Sequence, residues 1–382
     1  MRHHNSLFHQ LLQFVPWSTF DRLVEHHRAD HRVRRLTTKS QLIALMYGQL
    51  AGAQSLREIE LGMASHVRRL YHIGATQPAR STFADANAKR PAELFAELFS
   101  VMTSSASSGL RRHLRDALHL VDATSIRLTD VSRHWADYEK HGALVKLHVD
   151  FDAGRSIPAN IAITPARIND VSLAATMPVE PGATYVFDLG YYDFSWWSRL
   201  DAAGCRFVTR LKTNTRPRIL EERLATGDGI RSDRIVAIDH RLTSNRTNPL
   251  AGVALREVAV VTDDGRKLRL VTNDLDAPAA EIGALYKARW QVELFFRWIK
   301  QHLKIKRFLG TSENAIRIQI AVALIVFLLL RLAAEATRAT ASLLTFARLV
   351  RANLMHLRPL GDLDKPPPER RRDSRQHELA LC

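Results

Sequence analysis

Cysteine is nearly missing, with two residues in 382, Cys205 and Cys382. That excludes a disulfide framework and a zinc site built on thiolates, and it fits a reducing, intracellular compartment. The seventeen histidines fall in no H-E-x-x-H or comparable spacing, so they indicate no metal site either. No secretory leader is expected, because Met1-Arg2-His3-His4-Asn5 opens onto no long apolar run. The most apolar stretch, Ile320 to Leu330, is bounded by Arg317, Gln319 and Arg331. It is shorter than the roughly 20 residues that cross a bilayer and reads as a helix in a large core, so no membrane partner is expected. No Phe, Trp or Tyr occurs between residues 213 and 285. Acidic residues are the minority: 39 Asp and Glu stand against 55 Lys and Arg, a net charge of +16. Such an excess points to a polyanion, nucleic acid before an anionic membrane surface.

Residues 1–110 read as helical and basic. Thr38-Lys39-Ser40-Gln41 and Ser55-Leu56-Arg57-Glu58 each fit a capping box, in which a hydroxyl caps the helix and the third residue on reaches back. The small residues Ala51-Gly52-Ala53 between them predict helix, turn, helix. Arg57, Arg68 and Arg69 on or after the second helix are candidate DNA contacts, set against the alternative of an ordinary bundle with a polar face.

From residue 111 to 212 the pattern is that of a mixed sheet flanked by helices. Residues 117–127, 145–151 and 157–163 read as strands, 170–177 as helix, 184–187 as strand, 192–203 as helix and 206–211 as strand. Residues 213–275 predict a β-rich insertion, with a hairpin around Asp263-Asp264-Gly265. A long helix is expected over 279–304, inside a second core segment at 276–350. Residues 351–382 are expected to form a basic, disordered tail, with a Pro- and Arg-rich run from Lys365 to Arg375.

Asp122 stands inside an apolar strand, where a carboxylate is costly without a partner. Asp188 closes a second apolar strand at a small-residue turn. Side by side at strand ends the two would repel each other, and a divalent cation removes that repulsion. Asp150, Asp152 and Asp193 compete as ordinary strand-end or turn acids. On the predicted helix, Tyr286, Arg289, Glu293 and Lys300 fall within roughly a 60° arc. Leu285, Val292, Phe295, Phe296, Ile299 and Leu303 form the apolar face beside them. The polar edge thus offers an acid between cations and a phenol, suited to metal and to phosphate oxygens.

The spacing Tyr286-x2-Arg289-x3-Glu293-x6-Lys300 resembles the signature of DDE transposases of the insertion-sequence-4 type. Asp122-Ala-Thr124 and Asp188-Leu-Gly-Tyr191 resemble their two Asp motifs, Lys146-Leu147-His148 their second strand, and Ser81 to Asn87 part of their N-terminal region. The resemblance runs over roughly residues 5 to 350. It implies an α/β catalytic core like ribonuclease H, with the β-rich insertion placed before the Glu and an all-α DNA-binding domain in front. It implies that Asp122, Asp188 and Glu293 are catalytic and hold two Mg²⁺ ions, which Mn²⁺ can replace. Tyr286, Arg289 and Lys300 would bind DNA phosphates. The implied partners are duplex DNA, as terminal inverted repeats and target, and a second copy of the chain in the end complex. The implied place is the bacterial cytoplasm, at the nucleoid. Some relatives hold a flipped base on insertion-domain aromatics; with none at 213–285, His240, an Arg or Trp290 is left for that role. Two alternatives stay open: a nuclease or resolvase on the same core, and a DNA-binding regulator without catalysis.

Overall fold

The computed structural model describes residues 5–110, 117–128, 132, 136, 143–174, 176–238, 248–262, 265–302, 308–363 and 365. Helices α1 (Leu7–Leu12), α2 (Trp17–His26), α3 (Thr38–Ala51), α4 (Leu56–Ala64), α5 (Val67–Leu70), α6 (Arg80–Lys89) and α7 (Ala92–Leu110) come before the sheet. The predicted cap of α3 moves by one residue. Thr37 accepts the Ser40 amide at 3.2 Å, because the Thr38 amide and hydroxyl are both taken by Asp30, each at 2.7 Å. Gln41 does not reach back to the cap; it is buried, bonded to Asn87 at 2.7 Å and to Arg90 at 2.8 Å. Ser55 caps α4 as expected, accepting the Glu58 amide at 3.1 Å, while the Glu58 carboxylate reaches Gln54 N at 2.8 Å. The turn between them needs glycine: Gly52 has φ +76°, and a Cβ there would fall on the Arg351 guanidinium. Helix α3 is buried almost all round and acts as scaffold, whereas α4 keeps Arg57 exposed.

The sheet contains β1 (Leu118–Arg127), β2 (Leu144–Asp152), β3 (Ile157–Pro165), β4 (Thr184–Phe187) and β5 (Arg206–Arg210) in the order β3-β2-β1-β4-β5. The first three strands are antiparallel, and β4 and β5 run parallel to β1. Parallel neighbours require crossovers, supplied by α8 (Asp170–Ala174) and α9 (Phe194–Ala202). This is the mixed sheet that the strand pattern predicts, in the ribonuclease-H-like form that the resemblance implies. The insertion does not stand apart from it. Strands β6 (Arg218–Arg223), β7 (Ile230–Ala237), β8 (Ala254–Val261) and β9 (Lys267–Thr272) extend the same sheet, with β9 antiparallel to β5. They cover the edge that β5 would otherwise leave open. The β8–β9 hairpin forms, with Val261 opposite Lys267; Asp263 and Asp264 lie outside the described residues.

The predicted helix over 279–304 is two helices, α10 (Ala279–Ala288) and α11 (Trp290–His302). At the break the Arg289 amide donates to Tyr286 O at 3.2 Å, and the Val292 amide to Arg289 O at 3.1 Å. That i→i+3 spacing is a tightened turn without proline or glycine, and it occurs where the Arg289 side chain is held by two carboxylates. Val292, Phe295, Phe296 and Ile299 are buried as the apolar face predicts, with Phe295 packed 5.1 Å from Phe151. Leu303 lies outside the described residues.

The apolar run at 320–330 belongs to a longer helix than the sequence suggests, α12 (Glu313–Ala336). Its length and hydropathy would suffice to cross a membrane, yet 83% of its apolar window is buried inside the protein, and it packs on α3, α6, α7 and α11. Two polar residues that looked like boundaries lie on it with partners: Arg317 pairs with Glu313, and Gln319 accepts the Leu309 amide at 2.8 Å. One hydrophobic core therefore runs from Leu7 through α12 to Leu363. After α13 (Leu343–Asn353) the chain is not yet a tail. Leu354, Met355, Leu360 and Leu363 are buried, and the Phe8 amide donates to Leu354 O at 2.8 Å. Apart from Lys365, the Pro- and Arg-rich end lies outside the described residues.

Candidate active site

Parallel pairing of β1 with β4 sets Val121 opposite Phe187. The next residue on each strand is an acid, so Asp122 and Asp188 come side by side on the sheet. Asp122 Oδ1 accepts its own neighbour's amide, Ala123 N, at 2.7 Å. Asp188 caps the 3₁₀ turn Leu189–Tyr191, its Oδ1 accepting Gly190 N at 2.8 Å. Gly190 is needed there: a Cβ would lie 2.9 Å from Asp188 Oδ1 and 3.2 Å from Asp170 Oδ2.

Glu293 arrives from the first turn of α11. Arg289 joins it to β1, donating through Nη1 to Asp122 Oδ2 at 2.8 Å and through Nη2 to Glu293 Oε1 at 2.6 Å. Asp122, Asp188, Arg289, Glu293 and Lys300 line one open, polar cleft. Tyr286 stands behind it, half-buried, with its ring 5.8 Å from the Arg289 guanidinium carbon. Its phenol bonds Arg289, and burial raises its pKa.

The competing acids are elsewhere. Asp150 is paired with buried His119 at 2.7 Å, Asp152 with Arg155 at 2.7 Å, and Asp193 caps α9 through Trp196 N at 2.8 Å. Arg57 and Arg68 are exposed on the N-terminal helices, and Arg69 donates to Met355 O; none of the three lines this cleft. Trp290 is 54% exposed, next to Arg289 in sequence, while His240 lies outside the described residues.

Of the cleft residues, Arg297 escaped the sequence reading, while Thr124 was read only as part of the first Asp motif and Phe296 only as part of the apolar face. Arg297 could have been found, since 100° per residue puts it about 20° past Tyr286 on the same side of the helix. Asp170, behind Gly190, had no such signal. It pairs with Lys146 at 2.9 Å, and His148 beside that pair is bonded to Thr164 Oγ1 at 2.9 Å. Burial lowers the His148 pKa to about 4, which keeps it neutral.

Burial pushes the Asp122 carboxyl up to about 6; Arg289 opposes that shift, and the charges of Asp188 and Glu293 add to it. A buried carboxyl that resists ionising is stabilised in its charged form by added positive charge. Hard carboxylate oxygens are the donors that Mg²⁺ and Mn²⁺ prefer. Among the described residues no three acidic, His or Cys side chains are close enough to hold one ion as they stand. The Arg289 guanidinium occupies the space between two of the three, so the donor set fits a cation once Arg289 gives way.

The model of the transposase DDE domain matches residues 115–329, more than half of the chain. The chain belongs to the DDE transposase family. Members of this family cut and transfer DNA strands and depend on divalent metal ions. A domain of unknown function matches residues 3–76 of this transposase. Among its relatives, the Sinorhizobium fredii protein named as transposase y4zB is 40% identical over 297 residues, 76% of this chain and 82% of the relative. A Geobacillus stearothermophilus protein named as the transposase of insertion sequence element IS5377 is 29% identical, over 68% of this chain and 69% of the relative. A Synechocystis protein named for insertion sequence element IS4SA is 26% identical, over 78% of this chain and 84% of the relative. The resemblance to insertion-sequence-4 transposases, first drawn from the spacing around Glu293, is thus carried by relatives matched over more than two thirds of their length, and the function is transposition of DNA.

Proposed function

We propose that this cleft performs the cutting and joining steps of cut-and-paste transposition, with Asp122, Asp188 and Glu293 as its catalytic carboxylates. The observation that carries the proposal is the convergence of all three on one cleft with Arg289 and Lys300. The carboxylates would hold two Mg²⁺ ions, or Mn²⁺ in their place. When bound, such ions stabilise the attacking and leaving oxygens of an in-line displacement at phosphorus. Water attacks at the transposon end and frees a 3′-hydroxyl, which then attacks a phosphodiester of the target. Asp122 and Glu293 gather the positive charge, while Asp188 is aimed by its bond to Gly190. Arg289 and Lys300 bind backbone phosphates, which positions DNA without reading bases. Tyr286 orients the Arg289 guanidinium. Arg57, Arg68 and Arg69 meet the terminal inverted repeat farther along, on a helical region at 1–110 that carries the end to the core. Two copies of the chain hold two ends together, in the cytoplasm at the nucleoid.

The test is a gel assay with duplex carrying the inverted repeats, a supercoiled target plasmid and Mg²⁺. The expected result is plasmid joined covalently to the end duplex. Cuts without joined product would make the protein a nuclease. Full activity of Glu293→Ala would remove catalysis from this cleft.

Arg289 gives a separate expectation. Arg289→Ala weakens end binding, and the slope of log affinity against log salt falls by about 1, the signature of one lost phosphate contact. An unchanged affinity over a salt series would leave Arg289 with no role beyond its two carboxylates.

A further inference from the structure

We infer that a second cleft, formed by the starts of α4 and α6 and the segment just after α11, holds backbone phosphates of the same DNA end. Its lining includes Ser55, Arg57, Arg80, Ser81, Phe308 and Leu309. The inference rests on the reading that the catalytic cleft takes a DNA end, and it adds Arg80 and a defined location to the N-terminal contact.

The two guanidinium groups carry the argument. Arg57 and Arg80 are both exposed, and among the described residues neither side chain makes an ion pair or a hydrogen bond. Nearby acids are already engaged: Glu58 Oε2 accepts Gln54 N at 2.8 Å, Glu60 Oε1 accepts Arg80 N at 3.1 Å, and Asp85 pairs with Lys89 at 3.8 Å. The Ser55 hydroxyl satisfies the Glu58 amide. With the Glu58 and Arg80 amides engaged, the charged donors that the cleft offers a ligand are the two guanidinium groups. Arginine's fork of N–H donors matches phosphate oxygens in geometry and charge.

Chain connectivity ties this cleft to the catalytic one. Lys300 lines the first cleft, and Phe308 lines the second. Seven residues lie between them, eight backbone steps that span at most about 29 Å even if fully extended. Duplex DNA rises about 3.4 Å per base pair, so that span is roughly eight base pairs, within one helical turn. The joining sequence contains Lys304, Lys306 and Arg307. A duplex whose cleaved bond lies at Glu293 would thus carry phosphates past Arg57 and Arg80 within its first turn, and the net charge of +16 favours such a track.

The test measures binding of an end duplex by fluorescence anisotropy across a salt series, for the full chain, the double variant Arg57→Ala/Arg80→Ala and the charge-keeping Arg57→Lys/Arg80→Lys. Each phosphate contact adds about 0.9 to the salt slope, so the alanine pair should lower it by about 2 and the lysine pair should restore most of it. Uncharged methylphosphonates placed one at a time along the first turn give the second readout. At one or two positions the modification should weaken binding by the full chain and add no further loss in the alanine pair, the coupling expected of direct partners. An unchanged slope, or losses that add at every position, overturns the inference. Failure of the parent reading is read separately: the unmodified protein would then join no end to a target plasmid, whatever the binding series gives.

Discussion

Asp122→Ala and Asp188→Ala each abolish strand cleavage while leaving binding of the end duplex in place. The expectation follows from where the two carboxyls sit. Neither is a bond holding the fold together: Asp122 bonds an adjacent amide and Arg289, and Asp188 bonds Gly190 within its own turn. Their strands are held by ladder pairing and by a core of apolar neighbours such as Leu120, Val121, Val186 and Phe187, which the substitutions leave intact. What is lost is the donor set for positive charge. Charge stabilisation by bound metal is worth several kcal/mol in a transition state, so cleavage should fall by on the order of 10³-fold or more. Phosphate contacts from Arg289, Lys300 and the N-terminal arginines remain, so affinity for the duplex should stay close to that of the parent. Loss of end binding in both variants would mean that the acids organise the DNA surface and would contradict a role confined to metal.

Metal-free protein compared with Asp122→Asn shows a stability difference that grows with pH. Burial holds the folded Asp122 carboxyl near 6, above its ordinary 3.8. Its contribution to stability is therefore complete below about pH 4 and is lost as pH rises through about 6. A shift of about 2 units corresponds to roughly 3 kcal/mol, since one unit is about 1.4 kcal/mol. His148 works in the opposite direction. Its folded pKa is lowered to about 4, so its contribution is present above the ordinary 6.5 and lost as pH falls toward 4. The two trends offset each other in the parent, and only the difference between parent and variant isolates Asp122. Urea melts at pH 4 and pH 7 in the presence of a chelator should show Asp122→Asn gaining about 3 kcal/mol relative to the parent over that interval. A constant difference would place Asp122 in an ordinary, solvated environment. Added Mg²⁺ or Mn²⁺ should raise the melting temperature of the parent at pH 7 by mass action and leave the variant nearly unmoved.

The strand and helix pattern of the core was readable because it is local. Alternating or continuous apolar runs mark β1 to β5, and Ser55 announces α4 through a hydroxyl three residues ahead of an acid. Boundaries failed where a side chain met a distant partner. Thr38 looked like a cap but is held by Asp30, and Gln41 turned inward to Asn87 and Arg90. The helix over 279–304 has an unbroken pattern, yet it divides at Arg289, whose side chain is held by an acid on β1, 167 residues away in sequence, and by Glu293. Gln319 read as an end of an apolar segment because its partner, the Leu309 amide, is supplied by folded geometry, while Arg317 pairs locally with Glu313 one turn back on the same helix.

By itself the sequence determined which residues are the candidates for the proposed chemistry: two acids in apolar strands, a third on a cationic helix, and a basic chain suited to DNA. These follow from residue type and short spacing, which survive without coordinates because metal and phosphate demand particular side chains. The tertiary structure alone decided that Arg289 stands between Asp122 and Glu293, that Asp170 backs the Gly190 turn, that the insertion widens one sheet and that Arg57 shares a cleft with Arg80. Each of these depends on strand register or helix packing between residues far apart in the chain, and no local periodicity encodes a contact of that kind.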